Sequence, residues 1–270
     1  MRLVATDLDG TIVHEDGSIS ARTVAALQAC QDAGVQVVYV TGRPARWMSQ
    51  VVEQTGHRGT ALCGNGAVVY DLDTECVLHA VTLDVPVLLD VADRLRAAMP
   101  QISFAVETMS GFRREPRYVA RYDADLELRT GSLSELVDDD PGVLKLLCRD
   151  ESSHADAMLP LATAVLDAIA VPTHSNPRDC LIEVSAPGVN KAVALAALAA
   201  ERGIERADVV AFGDMPNDLE MLAWAGRGYA VTGGHADVLA AASHTAPPLH
   251  EDGVAQVLEQ LLAELAGVSR

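Results

Sequence analysis

Two carboxylates, Asp7 and Asp9, stand two residues apart in the run Leu3-Val4-Ala5-Thr6-Asp7-Leu8-Asp9-Gly10-Thr11. The apolar residues before them read as a short buried strand from Arg2 to Thr6, and alternate side chains along a strand share a face. Both acids therefore belong at the carboxyl edge of that strand, where parallel α/β sheets bind their ligands. Gly10 allows a sharp turn, after which the amides of Leu8 and Asp9 are placed to point at a phosphoryl oxygen, as backbone nests do. Alone, the same residues also spell an ordinary Asp-Gly turn.

Three further segments carry chemistry of a matching kind. Thr41-Gly42-Arg43 follows the next strand pattern, so the Thr41 hydroxyl can donate to the same phosphate, or simply belong to a loop before Pro44. Lys191 opens a helix, where the macrodipole mildly disfavours a cation; holding an anion would justify it, although helix lysines are usually solvated. Gly213-Asp214-Met215-Pro216-Asn217-Asp218 sets hard oxygen ligands at another strand end, a donor set suited to Mg²⁺ rather than zinc. A plain acidic helix cap would use similar residues.

The elements that must position these residues follow from periodicity. Strands are expected at 2–6, 35–40 and 60–63, with helices from Ser20 to Gly34 and from Pro44 towards Thr55, the alternation of a parallel sheet. A hairpin at 68–70 and 76–80, turning about Asp71 and Asp73, and a helix from Pro86 to Met99 open a different rhythm. Strands at 102–106, 119–122, 143–148 and 181–184 and helices at 132–137 and 153–167 make an α+β insert. After Ala186-Pro187-Gly188 the α/β rhythm resumes, with a helix at 189–202, a strand at 209–212, a helix from Pro216, a strand at 228–231, and helices at 236–241 and 253–265.

The chain has 270 residues, 49% of them hydrophobic, enough for a large core or two modest ones. Twenty Lys and Arg against 38 Asp and Glu give a formal charge of −18, which excludes a general attraction to nucleic acid or anionic membrane. A phosphate ligand would therefore need local compensation from a metal ion and a few cations. Cys30, Cys63, Cys76, Cys148 and Cys180 are scattered with no C-x-x-C pair, and read as reduced, mostly buried thiols. With neither a signal peptide nor a membrane-length apolar run, a cytoplasmic protein is expected.

Together the four segments, in this order, resemble the haloacid dehalogenase (HAD) superfamily of phosphohydrolases. The insert and Gly64-Asn65-Gly66-Ala67 resemble its Cof-type subgroup, which carries a large α/β cap. The resemblance implies a Rossmann-like three-layer core of parallel sheet, residues 1–82 and 187–270, with a cap over 83–186. It implies Asp7 as nucleophile, Asp9 as general acid and then base, and Thr41 and Lys191 as holders of the phosphoryl group. Leu8, Gly42, Arg43, Asn65 and Asn217 would line the phosphate. Mg²⁺ would be held by Asp7, the Asp9 carbonyl and Asp214, with Asp218 as a further or outer ligand. Ala192 departs from the glycine that often follows the lysine in that subgroup.

The implied activity is Mg-dependent hydrolysis of small phosphorylated metabolites such as sugar phosphates. Phosphoryl transfer or mutase chemistry on the same scaffold, and a non-catalytic phosphometabolite-binding protein, are the alternatives; two carboxylates in Asp7-Leu8-Asp9 argue against the last. Arg113, Arg114, Arg117, His174 and Arg178 are candidates to touch the leaving group, although each taken singly reads more readily as solvated surface. Asp138-Asp139-Asp140 before Pro141 reads as a solvated turn. The expected partner is a small phosphorylated metabolite, and the oligomeric state is not encoded.

Overall fold

The computed structural model describes residues 1–121 and 129–268. They form two compact units, one from Met1–His79 with Asn190–Arg270 and one from Ala80–Val189.

The first unit begins with β1 (Leu3–Thr6), α1 (Ala21–Asp32), β2 (Gln36–Val40), α2 (Met48–Thr55), β3 (Thr60–Cys63), β4 (Val68–Asp71) and β5 (Cys76–Ala80). Ser20 starts α1 as a side-chain cap accepting the Thr23 amide, and Gly56 ends α2 in the left-handed conformation. The chain then gives the second unit α3 (Val85–Ala98), β6 (Ser103–Thr108), β7 (Gly111–Arg114), β8 (Arg129–Thr130), α4 (Leu133–Leu136), β9 (Val143–Arg149), α5 (Ala155–Leu166), β10 (Val171–Thr173) and β11 (Leu181–Ser185). It returns to the first unit with α6 (Lys191–Glu201), β12 (Val209–Gly213), α7 (Leu219–Trp224), β13 (Arg227–Val231), α8 (Ala236–Ala241), β14 (His244–Ala246) and α9 (Gly253–Val268).

The first unit's sheet runs β14-β13-β12-β1-β2-β3-β4-β5. Strands β14 to β3 are parallel, and β4 reverses against β3. One face packs Leu3, Ala5, Val38, Val40, Val209 and Ala211 against Leu195 and Leu198 of α6, Met221 of α7 and Val238 of α8. The alternate residues Val4, Val37, Tyr39, Val210 and Phe212 are buried on the other face. Central strand β1 is flanked by β12 on one side and β2 on the other, so successive connections leave it in opposite directions. That switch point opens a crevice at the carboxyl ends of these strands.

The second unit's sheet runs β10-β11-β9-β6-β7-β8 and is antiparallel apart from β7 with β8. The strand expected at 119–122 is not formed over 119–121, and Tyr122 lies outside the described residues. Val119 is exposed there. Strands β7, β8, β10 and β14 were not foreseen. Strand β10 carries Pro172, tolerated because β10 is an edge, and β7 reads Gly-Phe-Arg-Arg without apolar alternation. All five cysteines are free thiols, with only Cys76 exposed. Among the described residues no helix is long and apolar enough to cross a membrane.

Buried His57 gives the first unit an acid sensitivity of its own. The ring packs edge-on against Tyr39 at 4.9 Å, and its Nδ1 lies 2.8 Å from Gln31 Nε2. Burial pushes its pKa down to about 4. The folded state thus prefers the neutral ring, and this contribution is complete above the ordinary His range and is lost as pH falls from 6.5 towards 4. The loss amounts to roughly 3 kcal/mol. Urea unfolding at several pH values should show the wild type losing about that much more than His57→Gln across the window; parallel curves would contradict it.

Candidate active site

Asp7 follows β1 directly and its amide donates to the Phe212 carbonyl at 3.0 Å, which ties the residue to the end of β12. The chain then folds tightly, the Leu8 carbonyl accepting the amides of Thr11, Ile12 and Val13 at 3.2, 2.9 and 2.8 Å. Gly10 occupies a left-handed conformation, φ +80°, and a Cβ there would lie 2.4 Å from Asp214 Oδ2. The Asp-Gly turn is therefore fixed by a close approach as well as by φ.

Lys191 lies in the first turn of α6, behind the Asn190 cap, with its side chain wholly buried. Its Nζ donates to Asp7 Oδ1 and to Asp218 Oδ1, each at 2.7 Å. The other oxygen of Asp218 accepts the amides of Asp214 and Met215 at 3.0 Å each, so Asp218 clamps the turn after β12 onto the lysine. Gly213 makes room for this, since a Cβ there would lie 2.4 Å from Asp218 Cγ. Asp214 Oδ1 accepts the Thr11 hydroxyl at 2.7 Å.

Burial dominates the electrostatics. It raises the Asp7 carboxyl well above its ordinary value, Lys191 pulling it back while Asp218 and Asp214 add to the rise. Burial and then Asp218 push Asp214 up to about 7. For Lys191 burial opposes the charge, but Asp218 and Asp7 outweigh it and hold the ammonium above its usual value.

Ligand atoms of Asp7, Asp214 and Asp218 all lie within 4.8 Å of one another. Three buried carboxylates against one ammonium leave a formal excess of two negative charges, which a divalent cation would neutralise. The donors are all carboxylate oxygens, the set that hard cations such as Mg²⁺ prefer.

The remaining candidates divide. Thr41 is buried at the end of β2, its hydroxyl accepting the Arg43 amide at 3.0 Å and its carbonyl accepting the Asn65 amide at 2.9 Å. Asn65, in a left-handed conformation with φ 57°, accepts Asn217 Nδ2 at 3.0 Å through its own Oδ1. Asn217 Oδ1 is buried with no hydrogen-bond partner among the described residues, as expected of a group that awaits a donor. Gly42 links Thr41 to Arg43. Arg43 does not point into the acidic cluster but grips Asp9, Nε to Oδ2 at 2.8 Å and Nη2 to Oδ1 at 2.5 Å. The Asp9 carboxylate is correspondingly exposed and outside the cluster.

In the second unit most of the candidate cations have structural partners. Arg113 bonds Asp139 at 2.6 Å and the Leu136 carbonyl, Arg114 bonds the Tyr118 carbonyl, and Arg117 bonds Gln101. Buried His174 lies 3.0 Å from Asp156, while Arg178 is exposed. Asp138 and Asp139 pair with Arg129, so the acidic run is more engaged than a solvated turn. Sequence reasoning gave no role to Thr11, whose hydroxyl orients Asp214; its place as fifth residue of the run from Asp7 was the available signal.

Fold and site together define a Rossmann-like α/β protein with a lysine-bridged acidic centre at the switch point of its sheet. The family described as haloacid dehalogenase-like hydrolase matches residues 4–258, and the chain belongs to it. This bears out the resemblance drawn from the motifs. The chain is 29% identical over 266 residues to the 5-amino-6-(5-phospho-D-ribitylamino)uracil phosphatase YitU of Bacillus subtilis, covering 96% of each. It is likewise 29% identical to the HMP-PP phosphatase of Cronobacter sakazakii, covering 90% of this chain and 88% of that one. Among solved structures it shares the fold of the HAD subclass IIB sugar phosphatase BT4131, with TM-score 0.81, 20% identity and coverage of 97% and 99%.

Proposed function

We propose that this hydrolase is a Mg²⁺-dependent phosphatase of small phosphorylated metabolites that works through an aspartyl-phosphate on Asp7. The observation that carries the reading is the buried Asp7 carboxylate held at 2.7 Å by an equally buried Lys191 at the sheet's switch point. The relatives named as a 5-amino-6-(5-phospho-D-ribitylamino)uracil phosphatase and an HMP-PP phosphatase support a small phosphorylated metabolite as substrate.

Asp7 attacks phosphorus, forming an Oδ–P bond as the ester P–O bond breaks and Asp9 gives its proton to the leaving oxygen. Asp9 then takes a proton from water as that water attacks phosphorus, the P–Oδ bond breaks, and orthophosphate leaves with Asp7 restored. Lys191, Thr41 and the Asn65–Asn217 pair hold the phosphoryl oxygens, beside Leu8 and Gly42. Arg43 acts as a positioning residue: both Asp9 oxygens are engaged by it, so proton donation requires Asp9 to exchange one of these bonds for the leaving oxygen. Asp7, Asp214 and the Asp9 carbonyl would hold Mg²⁺, with Asp218 at their side. When bound, the ion screens the repulsion between carboxylate nucleophile and phosphate anion. Segment 83–186 acts as the cap that recognises the leaving group.

Phosphate release from a panel of phosphorylated metabolites, with Mg²⁺ or with EDTA, tests the class. Release that depends on the metal is expected; turnover undiminished in EDTA would refute the metal requirement, and no release at all would refute hydrolysis. Asp9→Asn is expected to slow alkyl phosphates at least about a hundredfold more than nitrophenyl phosphate, whose leaving group needs little protonation. Equal losses on both would remove the acid role.

A further inference from the structure

Asp214 differs from the other two acids of its cluster in what holds it. Lys191 Nζ bonds Asp7 and Asp218, whereas the Asp214 carboxylate is held by the Thr11 hydroxyl at 2.7 Å. Before a cation binds, the repulsion among three buried carboxylates is offset least directly at the one that the ammonium does not bond. The place of Asp214 must therefore be imposed by contacts outside that ion pair.

Those contacts come from neighbouring loops of the first unit. The Asp214 amide donates to Asp218 Oδ2 at 3.0 Å, and the Gly10 turn lies against the Asp214 carboxylate. The connection between β13 and α8, residues 232–235, closes on the other side, and sequence reasoning gave it no role. There the His235 amide donates to the Asp214 carbonyl at 2.8 Å. Gly234 packs so closely on the same residue that a Cβ would stand 2.5 Å from the Asp214 carbonyl oxygen, 2.8 Å from its Cβ and 2.9 Å from its Cα.

The loop's own conformation does not call for glycine at this position. Gly233 is the residue with a positive φ, +100°, and a Cβ on it would meet nothing within 4 Å; Gly234 has no positive φ. Gly233 thus serves the turn, and Gly234 serves the approach to Asp214. The loop has little freedom to retreat, because its amide bond ties it to Asp214 and Val238 in the following helix is wholly buried in the core. A methyl group on Gly234 would be relieved at Asp214, and a functional site tolerates only about 0.5 Å of displacement.

Resting on the metal-dependent reading above, we infer that Gly234 is a positioning residue for the divalent ion. With Thr11 at the carboxylate and Gly234 at the backbone, Asp214 is seated before the ion arrives. Affinity for the ion is then set in part by a loop segment that offers it no ligand.

Calorimetric titration of the full-length, EDTA-stripped protein with Mg²⁺ tests this without turnover. Gly234→Ala is expected to weaken binding about ten- to a hundredfold, the usual cost of removing an outer support of a metal ligand. Gly233→Ala, strained by its φ but clear of Asp214, should bind Mg²⁺ like the wild type even where it melts lower. Thr11→Val should lose affinity as Gly234→Ala does, and Thr11→Ser should recover most of it. In turnover, Gly234→Ala should need correspondingly more Mg²⁺ for half-maximal rate and regain most of kcat at saturating Mg²⁺, with the KM for nitrophenyl phosphate little changed. Wild-type Mg²⁺ affinity in Gly234→Ala would overturn the inference, and so would equal losses in Gly233→Ala and Gly234→Ala, which would reduce the effect to loop stability. Should Gly234→Ala fail to fold, the Thr11 pair decides, and wild-type affinity in Thr11→Val overturns the inference. A wild type that binds no Mg²⁺ would remove both this inference and the metal requirement. Gly234-dependent Mg²⁺ binding in a protein that releases no phosphate would sustain the inference while removing the phosphatase reading.

Discussion

Replacing Asp7 with asparagine is expected to stop phosphate release while leaving the metal-free protein at least as stable as the wild type. The side chains are nearly isosteric, and an amide oxygen can still accept from Lys191. What is lost is the nucleophile, an effect on the order of 10⁴-fold or more in kcat. Burial raises the wild-type carboxyl, so the ionised form is disfavoured in the fold, and removing it relieves part of the excess negative charge. The sign in EDTA follows from that direction. Carboxyls raised in the folded state stabilise at low pH, and the contribution is lost as pH rises from the ordinary carboxyl range through the folded value, about 7 for Asp214. His57 acts in the opposite direction over part of this window, so the quantity to read is variant minus wild type. Normal turnover in Asp7→Asn would remove Asp7 as nucleophile, and a large loss of melting temperature in EDTA would make its role structural.

The catalytic half of the chain is legible because its signals are local. A strand that ends in Asp7-Leu8-Asp9-Gly10, a second that ends in Thr41 and a third that ends in Gly213-Asp214 each announce their own carboxyl edge, and parallel topology brings those edges together. The role of Arg43 was less visible. Its grip on Asp9 joins residues 34 apart in sequence, which no spacing rule encodes. The buried bridge from Lys191 to Asp7 spans 184 residues, and only the placement of a lysine against the helix dipole hinted at it.

The second unit is harder to read for a physical reason. Its edge strands are short and carry Pro172 or charged residues in place of apolar alternation, so pattern favours other segments such as 119–122. The buried pair Lys145–Glu183 is illegible in sequence because both residues lie inside strands whose apolar neighbours dominate the periodicity. Conversely, Arg113, a candidate for its charge alone, is committed to Asp139 within the unit.

Lys191→Met should produce the largest loss of stability at the site. The methionine keeps most of the volume but removes the cation that Asp7 and Asp218 share, and a buried pair broken on one side costs about 3–5 kcal/mol. In EDTA the melting temperature should fall by about 10 °C, given roughly 2–4 °C per kcal/mol for a chain of this size class. Turnover should fall on the order of 10²- to 10³-fold through the loss of a donor to the transferring phosphoryl group. Added Mg²⁺ should recover part of the stability, because a bound divalent ion replaces the missing charge, but not the turnover. The penalty should also shrink as pH is lowered, since the carboxyls then take up protons and no longer need a counter-ion. Lys191→Arg should not rescue activity, because the wholly buried ammonium acts as a point charge between Asp7 and Asp218 and a planar guanidinium fork does not reproduce that geometry. A Lys191→Met protein that melts like the wild type in EDTA at neutral pH would show the bridge to be dispensable to the fold, and would leave phosphate binding as its sole use.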